Sequence, residues 1–193
     1  FYLLWLANAT TKPMLFTETA LQGAYIIDIE PKEDSRGFFA RTFCDREFAA
    51  LGLEITNVQC SIAFNHKKGT LREMHYQAAP ATEAKLVRCT QGAIYDCIVD
   101  LRPDSPTYLS HICVELTADN HRALYIPEMF AHGYQTLDDN TEIAYQMNKS
   151  YTPGYERGLR YNDPILDIQW RLPVSEISRK DLEWDLLETV LIK

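Results

Sequence analysis

What most limits this chain is a series of short strand-like segments, about 8–12 residues apart, separated by turn residues. Segments 24–29, 38–43, 56–63, 85–90, 93–100, 109–116, 121–126 and 141–147 all read as strands, and 33–37 reads as a turn. Such spacing points to a sandwich or barrel rather than to βαβ units. Eleven Tyr and eight Phe in 193 residues agree, because aromatic side chains favour pleated surfaces. Segment 46–51 reads as a short helix stopped by Gly52, and 175–187 has helical spacing suited to packing across the outside. The residues alone therefore predict a mainly β, jelly-roll-like domain able to enclose one ligand.

The length allows one hydrophobic core and one domain. That domain is expected over 14–193, with Met14 as a native start and 1–13 as an extension outside the fold. No apolar run reaches the roughly 18 residues of a membrane span, so no membrane partner is expected. The net charge of −8 argues against nucleic acid, which requires a basic face. The five cysteines are odd in number and lack CxxC spacing. They read as reduced packing residues of a cytoplasmic protein.

The stretch 69–77 carries the chemistry. On a regular strand, Leu71, Glu73, His75 and Gln77 share one face, and Arg72, Met74 and Tyr76 share the other. A bulge would bring Arg72 and His75 into one cavity. A metal-binding strand would offer a second imidazole two residues after His75, but Gln77 stands there, so no metal and no metal-dependent oxygenase is expected. Elsewhere, a Lys85 facing a cavity could stabilise an enolate oxygen, and Tyr145 could donate a proton. Taken singly, His75 reads as a structural histidine, Lys85 as a solvated residue and Tyr145 as core.

Together with Asp34-Ser35-Arg36-Gly37-Phe38-Phe39, Gln59-Cys60-Ser61, Lys85-Leu86-Val87-Arg88, Ala131-His132-Gly133-Tyr134-Gln135 and Ser178-Arg179-Lys180-Asp181, this stretch resembles one family. That family is dTDP-4-dehydrorhamnose 3,5-epimerase, which implies a cupin-type jelly-roll barrel with a few short peripheral helices. The resemblance implies epimerisation at C3 and C5 of a dTDP-4-keto-6-deoxyhexose in rhamnose biosynthesis, without a cofactor. Single-centre epimerases on dTDP- or CDP-linked keto sugars, and a non-catalytic sugar-nucleotide binder, share the scaffold. His75 is implied as general base, Asp181 as its partner, Tyr145 as the acid on the opposite sugar face and Lys85 as the neighbour of the C4 oxygen. Arg72 and His132 match substrate-pocket residues. Arg36, Gln59, Glu156 and Lys180 match nucleotide or diphosphate contacts, and Phe39 and Tyr151 are candidates for stacking near the base. The Arg36 region is implied to cross into the partner of a homodimer with swapped N-terminal strands. Three positions depart from the family pattern: Glu73 replaces Gly, Ser61 replaces Asn, and Arg41 replaces Glu. Ser61 and Arg41 imply altered nucleotide contacts. Glu73, if on the His75 face, could fill the pocket, repel a diphosphate or raise the histidine's pKa.

Overall fold

The computed structural model describes residues 13–53 and 56–187. The expected extension 1–13 lies outside them except for Pro13. In chain order the elements are β1 (Leu15–Glu18), β2 (Tyr25–Asp28), β3 (Lys32–Asp34), β4 (Gly37–Phe39), α1 (Asp45–Ala49), β5 (Gln59–Asn65) and β6 (Thr70–Gln77). They continue with β7 (Lys85–Gln91), β8 (Ala93–Asp100), β9 (His111–Thr117), β10 (Ala123–Ile126), β11 (Phe130–Thr136) and β12 (Thr141–Met147). The last are β13 (Glu156–Gly158), β14 (Glu176–Ile177) and α2 (Arg179–Leu182).

Two sheets hold the molecule together. One runs β1-β2-β10-β7-β12-β5, and the other runs β13-β6-β11-β8-β9, with β14 joined to β6 in parallel. The other pairings within these sheets are antiparallel. The hairpin β3–β4 stands apart. This is the expected mainly β architecture with two short helices among the described residues.

The side chains explain why. In β10, Leu124 and Ile126 join the core between the sheets, while Ala123 and Tyr125 pack outward beneath Phe48 of α1. In β8, Ile94 and Ile98 face inward, whereas Cys97 and Val99 lie under Leu159, Leu166, Ile168 and Leu187 of the C-terminal segment. Burial on both faces accounts for the near-continuous apolar runs of these strands. Each fully buried aliphatic side chain contributes about 1.5–3 kcal/mol of transfer free energy, so the three clusters dominate stability.

Three expectations are corrected. Segment 175–187 is not one helix: it pairs Ile177 with Leu71 as β14, then forms the single turn of α2. Open backbone groups on β6 outweigh helical spacing there. The strand expected at 38–43 stops at Phe39. Cys97 and Cys113, read as reduced, are joined by a disulfide. They are direct partners in the β8–β9 register with Cα atoms 4.1 Å apart, and register is invisible in cysteine spacing. Cys44, Cys60 and Cys89 are free.

The feature that shapes the cavity is a bulge in β6. His132 pairs with His75, and Tyr134 pairs with Arg72, so three steps on β6 match two on β11. The strands meet most closely at Gly133. A Cβ there would lie 2.7 Å from Glu73 Cα, 2.8 Å from Met74 N and 2.9 Å from Arg72 O. All three obstacles are backbone atoms, so no rotamer change can relieve the clash. Gly133→Ala is therefore expected to cost about 2 kcal/mol or more, lowering the midpoint of thermal unfolding by roughly 4–8 °C.

Candidate active site

A cavity of about 650 Å³ opens between the two sheets. His75, Arg72 and Leu71 reach it from β6, and His132 and Tyr134 from β11. From the facing sheet come Gln59 and Ser61 of β5, Lys85 of β7, and Tyr145 and Met147 of β12. Tyr151 lines it from a loop, and Ser178, Lys180 and Asp181 close it from the C-terminal segment. Ten of the fourteen residues predicted from sequence thus share one cavity. Glu156 lies just behind it, where its carboxylate accepts from the Tyr151 hydroxyl at 3.2 Å and pairs with Lys180.

The remaining three are elsewhere within the single chain. Arg36 is 86% exposed and bound to Asp34, Phe39 is 66% exposed, and Arg41 pairs with Glu47 at the start of α1.

The central pair is His75 Nε2 and Asp181 Oδ1, 2.7 Å apart. Asp181 comes from α2, whose N-cap Ser178 accepts the Asp181 backbone N–H at 3.0 Å. The Ser-x-x-Asp spacing is a variant of the capping box, and it fixes a one-turn helix where the carboxylate is needed. Burial pushes the Asp181 carboxyl up. Hydrogen bonds from His75, the Ser178 hydroxyl and the Glu73 backbone N–H outweigh that and hold it below the ordinary carboxylate value. The carboxylate therefore stays ionised and can stabilise an imidazolium. Trp184 completes this wall. It packs edge-on to the His75 ring at 6.2 Å and lies against Gly158, where a Cβ would fall 2.2 Å from the indole.

Tyr145 has the opposite character. Desolvation first, and the neighbouring Tyr134 phenol second, push its hydroxyl well above the ordinary value. It keeps its proton at neutral pH and can donate it. His132 Nε2 bonds the fully buried Asp96 at 2.6 Å, and its ring lies 6.1 Å from that of Tyr145. Arg72 donates to Asn65 Oδ1 at 2.8 Å, and Asn65 in turn donates to the Tyr134 hydroxyl at 3.2 Å.

Sequence reasoning missed Asn65, Asp96, Tyr134 and Ser178, and also Glu83, which lines the cavity beside Lys85. An acid inside the apolar run 93–100 signals a buried partner for Asp96, and Ser178 carries the cap spacing. Nothing local distinguishes Asn65, Glu83 or Tyr134.

Glu73 is not where regular pleating would put it. The bulge carries it off the His75 face, so it does not line the cavity. Its side chain is fully buried and neither oxygen has a hydrogen-bond partner. Desolvation first, and the Asp181 carboxylate second, push it up to about 9, with Arg160 offsetting part of the rise. It is a neutral acid at pH 7, so it adds no charge beside His75. The unfolded chain releases this proton near the ordinary 4.5, whereas the folded chain holds it until about pH 9. Between these values the folded state binds more protons, and stability falls as pH rises. The neutral isostere Glu73→Gln is expected to gain on the parent by on the order of 2–4 kcal/mol between pH 5 and pH 8 in urea unfolding. An unchanged difference across that range would refute a protonated Glu73.

An ionised carboxylate behind an imidazole, with a phenol and an ammonium across the cavity, can move protons at a carbon beside a carbonyl. These features define the class: an acid–base site inside a double-sheet jelly roll. The family model for dTDP-4-dehydrorhamnose 3,5-epimerase matches residues 18–189. The chain is 37% identical over 181 residues to the enzyme of that name from Salmonella typhimurium, covering 93% of this chain and 98% of the relative. It superposes with a TM-score of 0.87 and 36% identity on the crystal structure of the Bacillus anthracis enzyme with TDP and PPi bound, covering 90% and 99% of the two chains. The Legionella pneumophila enzyme in complex with dTDP-4-keto-L-rhamnose gives 0.86 and 34%, covering 92% and 95%. The chain belongs to the dTDP-4-dehydrorhamnose 3,5-epimerase family.

Proposed function

We propose that this protein inverts C3 and C5 of a dTDP-4-keto-6-deoxyhexose, converting dTDP-4-dehydro-6-deoxyglucose to dTDP-4-dehydrorhamnose. The observation that carries the reading is the placement of His75 and Tyr145 on facing sheets. A base on one wall and an acid on the other suit removal of a proton from one face of a carbon and its return to the opposite face.

Each step follows from ordinary carbonyl chemistry. The C4 ketone acidifies the protons on C3 and C5. His75 takes one with the ring nitrogen not bound to Asp181, and Asp181 stabilises the resulting imidazolium. Charge moves to the C4 oxygen, where the Lys85 ammonium stabilises the enolate. Tyr145 delivers a proton from the other side, and inversion is complete. No cofactor enters these steps. Arg72 and His132 bind the sugar in this reading, with Gln59, Ser61, Tyr151, Glu156 and Lys180 toward the nucleotide and diphosphate. Relatives with TDP and PPi or dTDP-4-keto-L-rhamnose bound support a nucleotide-linked sugar as the ligand.

We further propose that the working unit is a cytoplasmic homodimer whose N-terminal strands swap, so that Arg36, Phe39 and Arg41 serve the partner's cavity. Strand β5 ends its sheet, and its side chains Ile62 and Phe64 are 69% and 41% exposed. An exposed apolar edge of this kind favours a second chain. Among the described residues, no helix is long and apolar enough to cross a membrane.

The decisive measurement is solvent-deuterium incorporation into dTDP-4-keto-6-deoxyglucose, repeated on a CDP-linked keto sugar. Label is expected at both C3 and C5 of the dTDP substrate. Label at one carbon marks a single-centre epimerase, label only on the CDP sugar changes the nucleotide, and none on either sinks the enzymatic reading. His75→Ala should lower exchange by about 10²–10⁴-fold while dTDP still binds. Tyr145→Phe should retain exchange but form no inverted product. For the assembly, Ile62→Glu is expected to shift the protein from a two-chain species to the 22.2 kDa monomer in light scattering. A monomeric parent would refute the dimer.

A further inference from the structure

Gln77 and Glu83 have no part in the proton transfers above, yet they are tied directly to the cavity. Glu83 stands two residues before Lys85, and each side chain is only 10% exposed. Glu83 Oε1 lies 3.2 Å from Lys85 Nζ. A second ammonium proton is directed at the backbone carbonyl of His75, 3.4 Å away. An ammonium has three donors, so one remains for the cavity that Lys85 lines.

The other carboxylate oxygen is also held. Gln77 Nε2 donates to Glu83 Oε2 at 3.0 Å and to the Ser150 carbonyl at 3.4 Å. Gln77 Oε1 accepts the Thr152 backbone N–H at 2.7 Å. That last bond permits one orientation of the amide, because only its oxygen can accept from an N–H. The NH2 group must then face Glu83. The same loop carries Tyr151, whose backbone N–H donates to Gln59 Oε1 at 3.1 Å. A continuous chain of polar contacts thus runs from the Gln59–Tyr151 wall through Gln77 and Glu83 to Lys85.

We propose that Glu83 is a positioning residue for the epimerisation: locked by Gln77, its carboxylate aims the Lys85 ammonium at the sugar's carbonyl oxygen. This rests on the role given to Lys85 above. It accounts for Gln77 at the position where a metal-binding strand would carry its second imidazole: the amide braces a carboxylate. An ammonium fixed before the substrate arrives stabilises the enolate without reorganising at the moment of reaction. Without Glu83 the flexible four-carbon stem of Lys85 loses its strongest restraint.

The test is a double-mutant cycle on the deuterium-exchange and product assay, using the parent, Glu83→Gln, Lys85→Met and the double variant. Glu83→Gln keeps the bulk and removes the charge. It is expected to lower kcat about ten- to a hundredfold with KM within about twofold, because the lost interaction strengthens as charge develops. In the Lys85→Met background the same change should alter kcat by less than about twofold. An undiminished kcat in Glu83→Gln, or an equal loss in both backgrounds, would overturn action through Lys85. Gln77→Leu, outside the cavity lining, should lower kcat in the same direction, and a parental kcat there would overturn the locking role. A parent with no exchange at all would instead overturn the reading of the site, a result distinct from either.

Discussion

The extra residue in β6 is the constraint on which the rest of the site depends. Regular pleating would set Arg72 and His75 on opposite faces of the sheet. The bulge brings both into the cavity and turns Glu73 off the His75 face, while Met74 packs in the outer core beneath the C-terminal segment. The bulge in turn requires Gly133 on the neighbouring strand, since the two backbones approach too closely for a Cβ. The sequence 130–136 therefore carries a glycine in the middle of a fully buried strand, where glycine is ordinarily a weakness. A chain without this irregularity would keep its sandwich and lose the convergence of Arg72 with His75.

The electrostatics of the two walls are set by unequal solvation. Asp181 is buried but well supplied with donors, so it is held ionised against desolvation. Tyr145 lacks comparable support for a phenolate, so it is held protonated. Glu73, buried with neither donor nor acceptor at its carboxyl oxygens, is held neutral. Of three acidic groups near one cavity, one is thus ionised and two keep their protons. An acid introduced next to the base's partner is accommodated by remaining uncharged, at a cost to stability that grows with pH.

Much of this was legible in the residues, for identifiable reasons. Strands such as 93–100 and 141–147 announced themselves because apolar and β-branched residues recur with turn signals between them. The ten cavity residues were recognisable because motifs scattered over the chain match one family in order and spacing. Illegible features depended on pairing between distant segments. Cys97 meets Cys113 only through the β8–β9 register. The segment 175–187 gives up helical spacing because β6 offers it hydrogen-bonding partners. Glu83 carries no mark of its own, since nothing in its neighbourhood in sequence says that Gln77 and Lys85 will converge on it.

The hydrogen bond between His75 and Asp181 spans 106 positions of sequence. Its donor strand lies in the first half of the chain, and its acceptor lies on a one-turn helix near the end. During synthesis the ligand-sized space between the sheets is encoded long before the carboxylate emerges. The base therefore acquires its partner only when residues 176–182 dock against β6. Competence for proton transfer is in this sense a check on completion: in a chain stopped short of Asp181 the histidine would have no carboxylate behind it.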